Sequence, residues 1–246
     1  MKPRPKRIVR WSVDVGASVL FLLLFSYQTT GPKAHEWLGV CAALLILAHL
    51  LLNLKWFASL FKGKYRAFRV ALTAVGAALL VALVSTVVCG LSISDYAAPF
   101  CDGIVRPMTA RRFHLACSYW TLFLAALHCG LNFRVLFPRR LSPPKLGLAL
   151  SLLGVALAGS GLYLLLKSGA FNYLLFKSHF AFLDYDKSKP LVLLENFLAL
   201  FFWGFVGAQL ARALTVGSGD GKRAWLAPVG YLALAVLVGA AIRTVG

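Results

Sequence analysis

Residues 35–49 read HEWLGVCAALLILAH, and residues 114–128 read HLACSYWTLFLAALH. Each stretch begins and ends on a histidine, fourteen positions apart, inside an apolar run. At 3.6 residues per turn, fourteen positions come to nearly four turns, so the two imidazoles of a run share one helix face, about 40° and about 21 Å apart. Two helices marked in this way offer two facing couples at different heights. That pattern suits two stacked haems, each iron held axially by one imidazole from each helix.

The similarity between the two stretches runs past the histidines. His49-Leu50-Leu51-Leu52-Asn53-Leu54-Lys55 aligns with His128-Cys129-Gly130-Leu131-Asn132-Phe133-Arg134, and the same offset of 79 superposes His35 on His114. A histidine alone in an apolar helix is ordinarily satisfied by a nearby carbonyl or hydroxyl. Four at matched positions are costly to keep in lipid without a task, and a neutral imidazole bound to metal supplies one. A single zinc or copper centre built from all four is excluded by the axial separation.

Around these helices the chain is 60% hydrophobic, with a mean hydropathy of +0.77. Seven apolar runs, near 8–28, 35–57, 69–93, 113–136, 146–166, 191–211 and 225–244, are long enough to cross a bilayer. The expected fold is an all-α membrane protein of about seven transmembrane helices. Residues 1–140 are expected to form a four-helix diheme bundle, and 141–246 a three-span part that follows Pro143-Pro144. The basic start, Lys2 to Arg10, resembles a secretory signal but lacks an Ala-x-Ala site, so the first run reads as a retained span.

A formal charge of +18 would suggest nucleic acid in a soluble chain, but the cations sort by loop. With the N-terminus inside, seventeen of the 26 Lys and Arg fall on the cytoplasmic side, and six of eight acids fall outside. The positive-inside rule therefore places the N-terminus in the cytoplasm. Nucleic acid is not an expected partner, whereas anionic membrane lipid is.

The five cysteines are scattered and no Cys-x-x-Cys-His occurs, so any haem is non-covalent and b-type. Cys41, Cys117 and Cys129 read as small packing residues, and Cys89 and Cys101 lie on the side where a disulfide between them can form. Small residues Ala42 and Thr121, with Gly39 and Gly130, are expected to leave room for flat macrocycles. Arg111 and Arg112, just before His114, read either as partners of haem propionates or as interfacial anchors. Asp14 reads as an interfacial ion pair with Arg10. Glycines 147, 154, 159 and 161 read as close helix-packing positions.

Residues 168–190 interleave aromatics with Lys177, His179, Asp184 and Asp186. An outer amphipathic helix explains that pattern. A quinone site with His179 and Asp184 as proton acceptors, joined by Glu195, is the other reading. There is no Gly-rich nucleotide loop, no catalytic triad pattern outside the apolar runs and no iron–sulfur cysteine run.

Paired histidines fourteen apart on the second and fourth spans resemble the cytochrome b of quinol-oxidising respiratory complexes. More closely, His35 to Gly39, Asn53 to Phe57, Phe61 to Tyr65, His114 to Trp120 and Leu127 to Asn132 are similar to a prokaryotic family of cytochrome-b-like integral membrane proteins of unknown function. That family is associated with flavinylated extracytoplasmic electron-transfer proteins. The likeness covers roughly residues 8–140 and extends to Ser178 to Asp184, while the connection from Ser92 to Arg112 and the last two spans depart from it. The resemblance implies two b haems on His35, His114, His49 and His128. It also implies a place in a membrane complex of the prokaryotic cytoplasmic membrane, with a quinone and an outer flavoprotein or cytochrome as partners. The expected function is electron relay. A quinol-oxidising subunit with its own site, or a haemless scaffold or transporter, are the alternatives.

Overall fold

The computed structural model describes residues 5–133, 144–178, 180–216 and 226–245, and among these the regular structure is entirely helical. The helices are α1 (Pro5–Phe25), α2 (Tyr27–Leu52), α3 (Leu54–Ser59), α4 (Ala67–Leu91), α5 (Pro107–Leu131), α6 (Pro144–Lys167), α7 (Ala170–Leu174), α8 (Lys189–Val216) and α9 (Leu226–Val245). Seven of them, all but α3 and α7, are long and apolar enough to cross a membrane. The chain is a multi-pass membrane protein by this criterion, and all seven apolar runs of the sequence are helices.

Helix boundaries follow local chemistry. The stretch assigned to α2 is broken at Gly31, whose φ of 75° and ψ of 172° suit glycine alone, and Pro32 then restarts the helix. His35 thus sits in the first turn of the membrane-crossing segment. At the far end, Asn53 caps α2, with its backbone N–H and its side-chain amide both donating to the His49 carbonyl. Asn132 does the same for α5 at the His128 carbonyl. The recurring asparagine is therefore a C-terminal stop that satisfies carbonyls a helix end leaves open. Helix α5 starts six residues earlier than the apolar run indicates, because Pro107 occupies its first turn. Arg111 and Arg112 consequently lie within the helix.

The expected amphipathic helix over 168–190 is reduced to the five residues of α7. Gly169 at φ 66° opens it, and Phe176 at φ 57° turns the chain away after its end. Side chains hold this segment in place. Tyr119 stacks on Tyr173 with ring centres 4.6 Å apart, Trp120 Nε1 donates to the Leu174 carbonyl, and the Phe182 amide donates to the Tyr173 hydroxyl.

Packing divides the helices unequally. Helices α5, α6, α8 and α9 approach through small residues. A Cβ added at Gly130 or Gly207 would collide with the backbone of the facing helix between α5 and α8, and one at Gly161 would meet the Leu198 carbonyl of α8. Gly159 and Gly239 make the α6–α9 approach. Without a hydrophobic force between helices in lipid, such approach gives the dispersion contacts that hold them together. The packing expected of Gly159 and Gly161 is found, Gly154 faces the Phe205 ring, and Gly147 belongs to a turn whose side chains are not described. Helix α4 lies along α5, whereas α1 and α2 pack chiefly on each other and touch the rest lightly. Asn196 of α8 ties that pair down at one corner, donating to Ser26 Oγ at 2.9 Å.

Candidate functional site: two histidine couples

Helices α2 and α5 face each other without packing closely, α2 leaning instead on α1 and α5 on α4 and α8. Across that separation, the His35 and His114 rings approach to 6.1 Å between centres, with their planes 84° apart. Two imidazoles bound to one metal through nitrogen bonds of about 2 Å hold their ring centres roughly 6 Å apart. At the opposite end of the same helices, His128 lies within electrostatic reach of His49 and of Asp14. Of the four histidines selected from spacing, His35 and His114 are thus brought ring to ring, while His49 and His128 share the other end of the two helices without a ring contact. Among the described residues no group of three or more His, Cys, Asp and Glu side chains converges as a compact metal site.

In each couple one ring is held through Nδ1 by a neighbouring helix; of the other two, His128 meets the Asn132 amide of its own helix end at Nε2, 3.3 Å away. His114 Nδ1 lies 2.9 Å from the Thr86 carbonyl of α4. A carbonyl can only accept, so Nδ1 carries the proton and Nε2 keeps its lone pair. Gly90 makes this possible, because a Cβ there would stand 2.9 Å from His114 Cε1. In the second couple the anchor is a carboxylate, with His49 Nδ1 2.7 Å from Asp14 Oδ1 of α1. His35 and His128 each have a buried Nδ1 with no hydrogen-bond partner. A buried nitrogen without a partner costs about 1–3 kcal/mol, so these two atoms stand out from the otherwise satisfied polar groups around them. Imidazoles held in one tautomer through Nδ1 by a second residue are the usual form of metal-bound histidine. The donor set fits b haem.

Asp14 departs from its expected role. Arg10, its anticipated partner, donates instead to the Leu52 carbonyl at the end of α2. Sequence reasoning looked for that acid's partner four residues away, while its partner lies 35 residues on, across a helix contact. The signal was nonetheless present: Asp14 is an acidic residue well inside an apolar run, and such residues are kept for a partner.

Glu36, beside His35, also went unassigned. Its carboxylate accepts from Ser94 Oγ and from the backbone amides of Asp95, Tyr96 and Ala97, at 2.7–3.1 Å. This fastens the connection after α4 over the end of α2 that carries His35. Ser94 closes the turn by accepting from the Ala98 amide. Tyr27 presents its ring edge to His35 at 5.0 Å.

The smaller residues divide. Thr121 is buried but faces α4, its hydroxyl 3.2 Å from that of Thr86. Gly130 faces α8 and serves helix packing, whereas an added Cβ on Gly39 would come no closer than 4.0 Å to Leu24 of α1. Ala42 is buried. Arg111 is exposed, and the exposed Arg112 donates to the Phe176 carbonyl at 3.3 Å, which joins α5 to the segment after α7. Cys89 and Cys101 are both free thiols.

The proposed quinone residues are less coherent. His179 lies outside the described residues. Asp184 accepts from the Asp186 amide within its own turn, and Glu195 pairs with Lys187 at 2.8 Å. Comparison of the chain with family models, curated proteins and solved structures finds no match.

Proposed function

We propose that this chain is a transmembrane diheme b-type cytochrome, akin to the cytochrome-b-like membrane family its motifs resemble. It relays electrons between a membrane quinone or an inner-side donor and an extracytoplasmic flavoprotein or cytochrome. The observation that supports the reading is the approach of the His35 and His114 rings to 6.1 Å between α2 and α5, with His49 and His128 at the other end of the same helices and His114 and His49 each held through Nδ1 by a neighbouring helix. A b haem held by His35 and His114, and another held by His49 and His128, would supply one-electron transfer. The protein's own part is to fix the rings. Helices α2 and α5 set the two heights, Thr86 and Asp14 set the tautomers, and the Glu36-bound turn covers one end.

The test is a reduced-minus-oxidised absorption spectrum with haem extraction on protein purified from a haem-replete membrane. Two extractable b haems per chain are expected. Colourless protein would overturn the reading in favour of a scaffold or transporter.

Orientation is a separate expectation. With the N-terminus in the cytoplasm, His35 and His114 form the outer couple and His49 and His128 the inner one. A reporter fused after Gly63 should be cytoplasmic, and one near Asp186 external. The opposite pattern would exchange the names of the couples and leave the ligands as they are.

A further inference from the structure

The two couples differ in what holds their anchored ring, and the difference has a sign. His114 donates to a neutral backbone carbonyl, that of Thr86 at 2.9 Å. His49 donates to a carboxylate, that of Asp14 at 2.7 Å. Resting on the diheme reading above, we infer that Asp14 is a positioning residue that holds the inner haem at a lower potential than the outer one, so that electrons run from the cytoplasmic side outwards.

The argument is electrostatic and has two parts acting in one direction. A carboxylate on Nδ1–H draws the proton towards itself and makes Nε2 a stronger donor, which favours the ferric over the ferrous state. Its full negative charge, one ring away from the metal position and in a low-dielectric setting, favours ferric iron again. The carbonyl of Thr86 does the first weakly and the second hardly at all.

Other charges act on the same balance. Arg10, one turn before Asp14, donates to the Leu52 carbonyl and keeps its positive charge, which opposes Asp14 in part and is unchanged in Asp14→Asn protein. On the outer side the Glu36 carboxylate is spread over four hydrogen bonds from the 94–97 turn, and each of those donors offsets its charge. Arg111 and Arg112 on α5, one turn or less before His114, favour ferrous iron in the outer couple.

The test is an optical redox titration of haem-loaded protein, with haem content measured by extraction. The inner step is identified as the one absent from His128→Ala protein. In the parent the inner step should lie at lower potential than the outer. Asp14→Asn should move the inner step up and leave the outer in place, and Asp14→Glu should bring it back towards the parent value. An inner step at or above the outer one in the parent overturns the inference without needing any variant. So does an inner step unmoved in Asp14→Asn protein that still carries two haems. Parent protein without haem overturns the diheme reading and this inference together, whereas two haems with the potentials in the wrong order overturn this inference alone.

Discussion

His49→Ala and His128→Ala proteins are each expected to retain one of two b haems, so that extractable haem falls by about half while the outer haem keeps its spectrum. The couples lie at opposite ends of α2 and α5, about 21 Å apart along the helix axis, so removal of one imidazole leaves the other couple's geometry in place. The two variants should differ in stability. His49→Ala strips Asp14 of its described side-chain partner and so loses the 2.7 Å pair between α1 and α2. His128→Ala gives up the 3.3 Å contact of Nε2 with the Asn132 amide, which keeps its bond to the residue 128 carbonyl, and so loses less. Haem extraction reads the first effect, and loss of monodisperse protein on heating reads the second. Retention of two haems by both variants would remove these histidines from the ligand set.

Gly207→Leu should prevent stable assembly of the bundle. Gly207 meets the Leu127 carbonyl and the Gly130 Cα of α5, so any side chain there must push two backbones apart. Overpacking against flexible side chains costs about 1–3 kcal/mol, and backbone cannot yield as a side chain does. The loss should appear as aggregation on size-exclusion chromatography of the detergent-solubilised protein. Gly39→Ala is the control, since the nearest atom to its added Cβ is Leu24 Cδ2 at 4.0 Å. Equal behaviour of the two variants would mean that α5 and α8 do not approach as closely as described.

The fold was legible because lipid imposes length and hydropathy on each span, and all seven apolar runs are helices. Boundaries were less so. Pro107 and the Gly31-Pro32 break are local signals, but an apolar-run reading passes over them because they lie in polar flanks. The approach of His35 to His114 could be read from spacing alone, since helix periodicity carries position along one face. The anchors of His49 and His114 could not. Asp14 reaches His49 across 35 residues and Thr86 reaches His114 across 28, and nothing in the periodicity of one helix tells which neighbour it packs against. Gly130 shows the same limit from the other side. A small residue one turn from a ligand looks like room for a cofactor, and only the placement of α8 shows what it faces.

The light contact of the α1–α2 pair with the remaining helices bears on how long the protein lives in a cell. Helices α5, α6, α8 and α9 hold one another through backbone approach, but the N-terminal hairpin is fastened at the Ser26–Asn196 corner and through the turn bound by Glu36. It also meets α5 through the edge contact of Phe25 with Tyr119, and on the diheme reading the bridges from His35 to His114 and from His49 to His128 would add to these few attachments. A chain synthesised when haem is scarce then carries a hairpin that opens readily, and local opening is what membrane proteases act on. Cofactor supply would set the abundance of the protein through degradation, with no regulator of its transcription required.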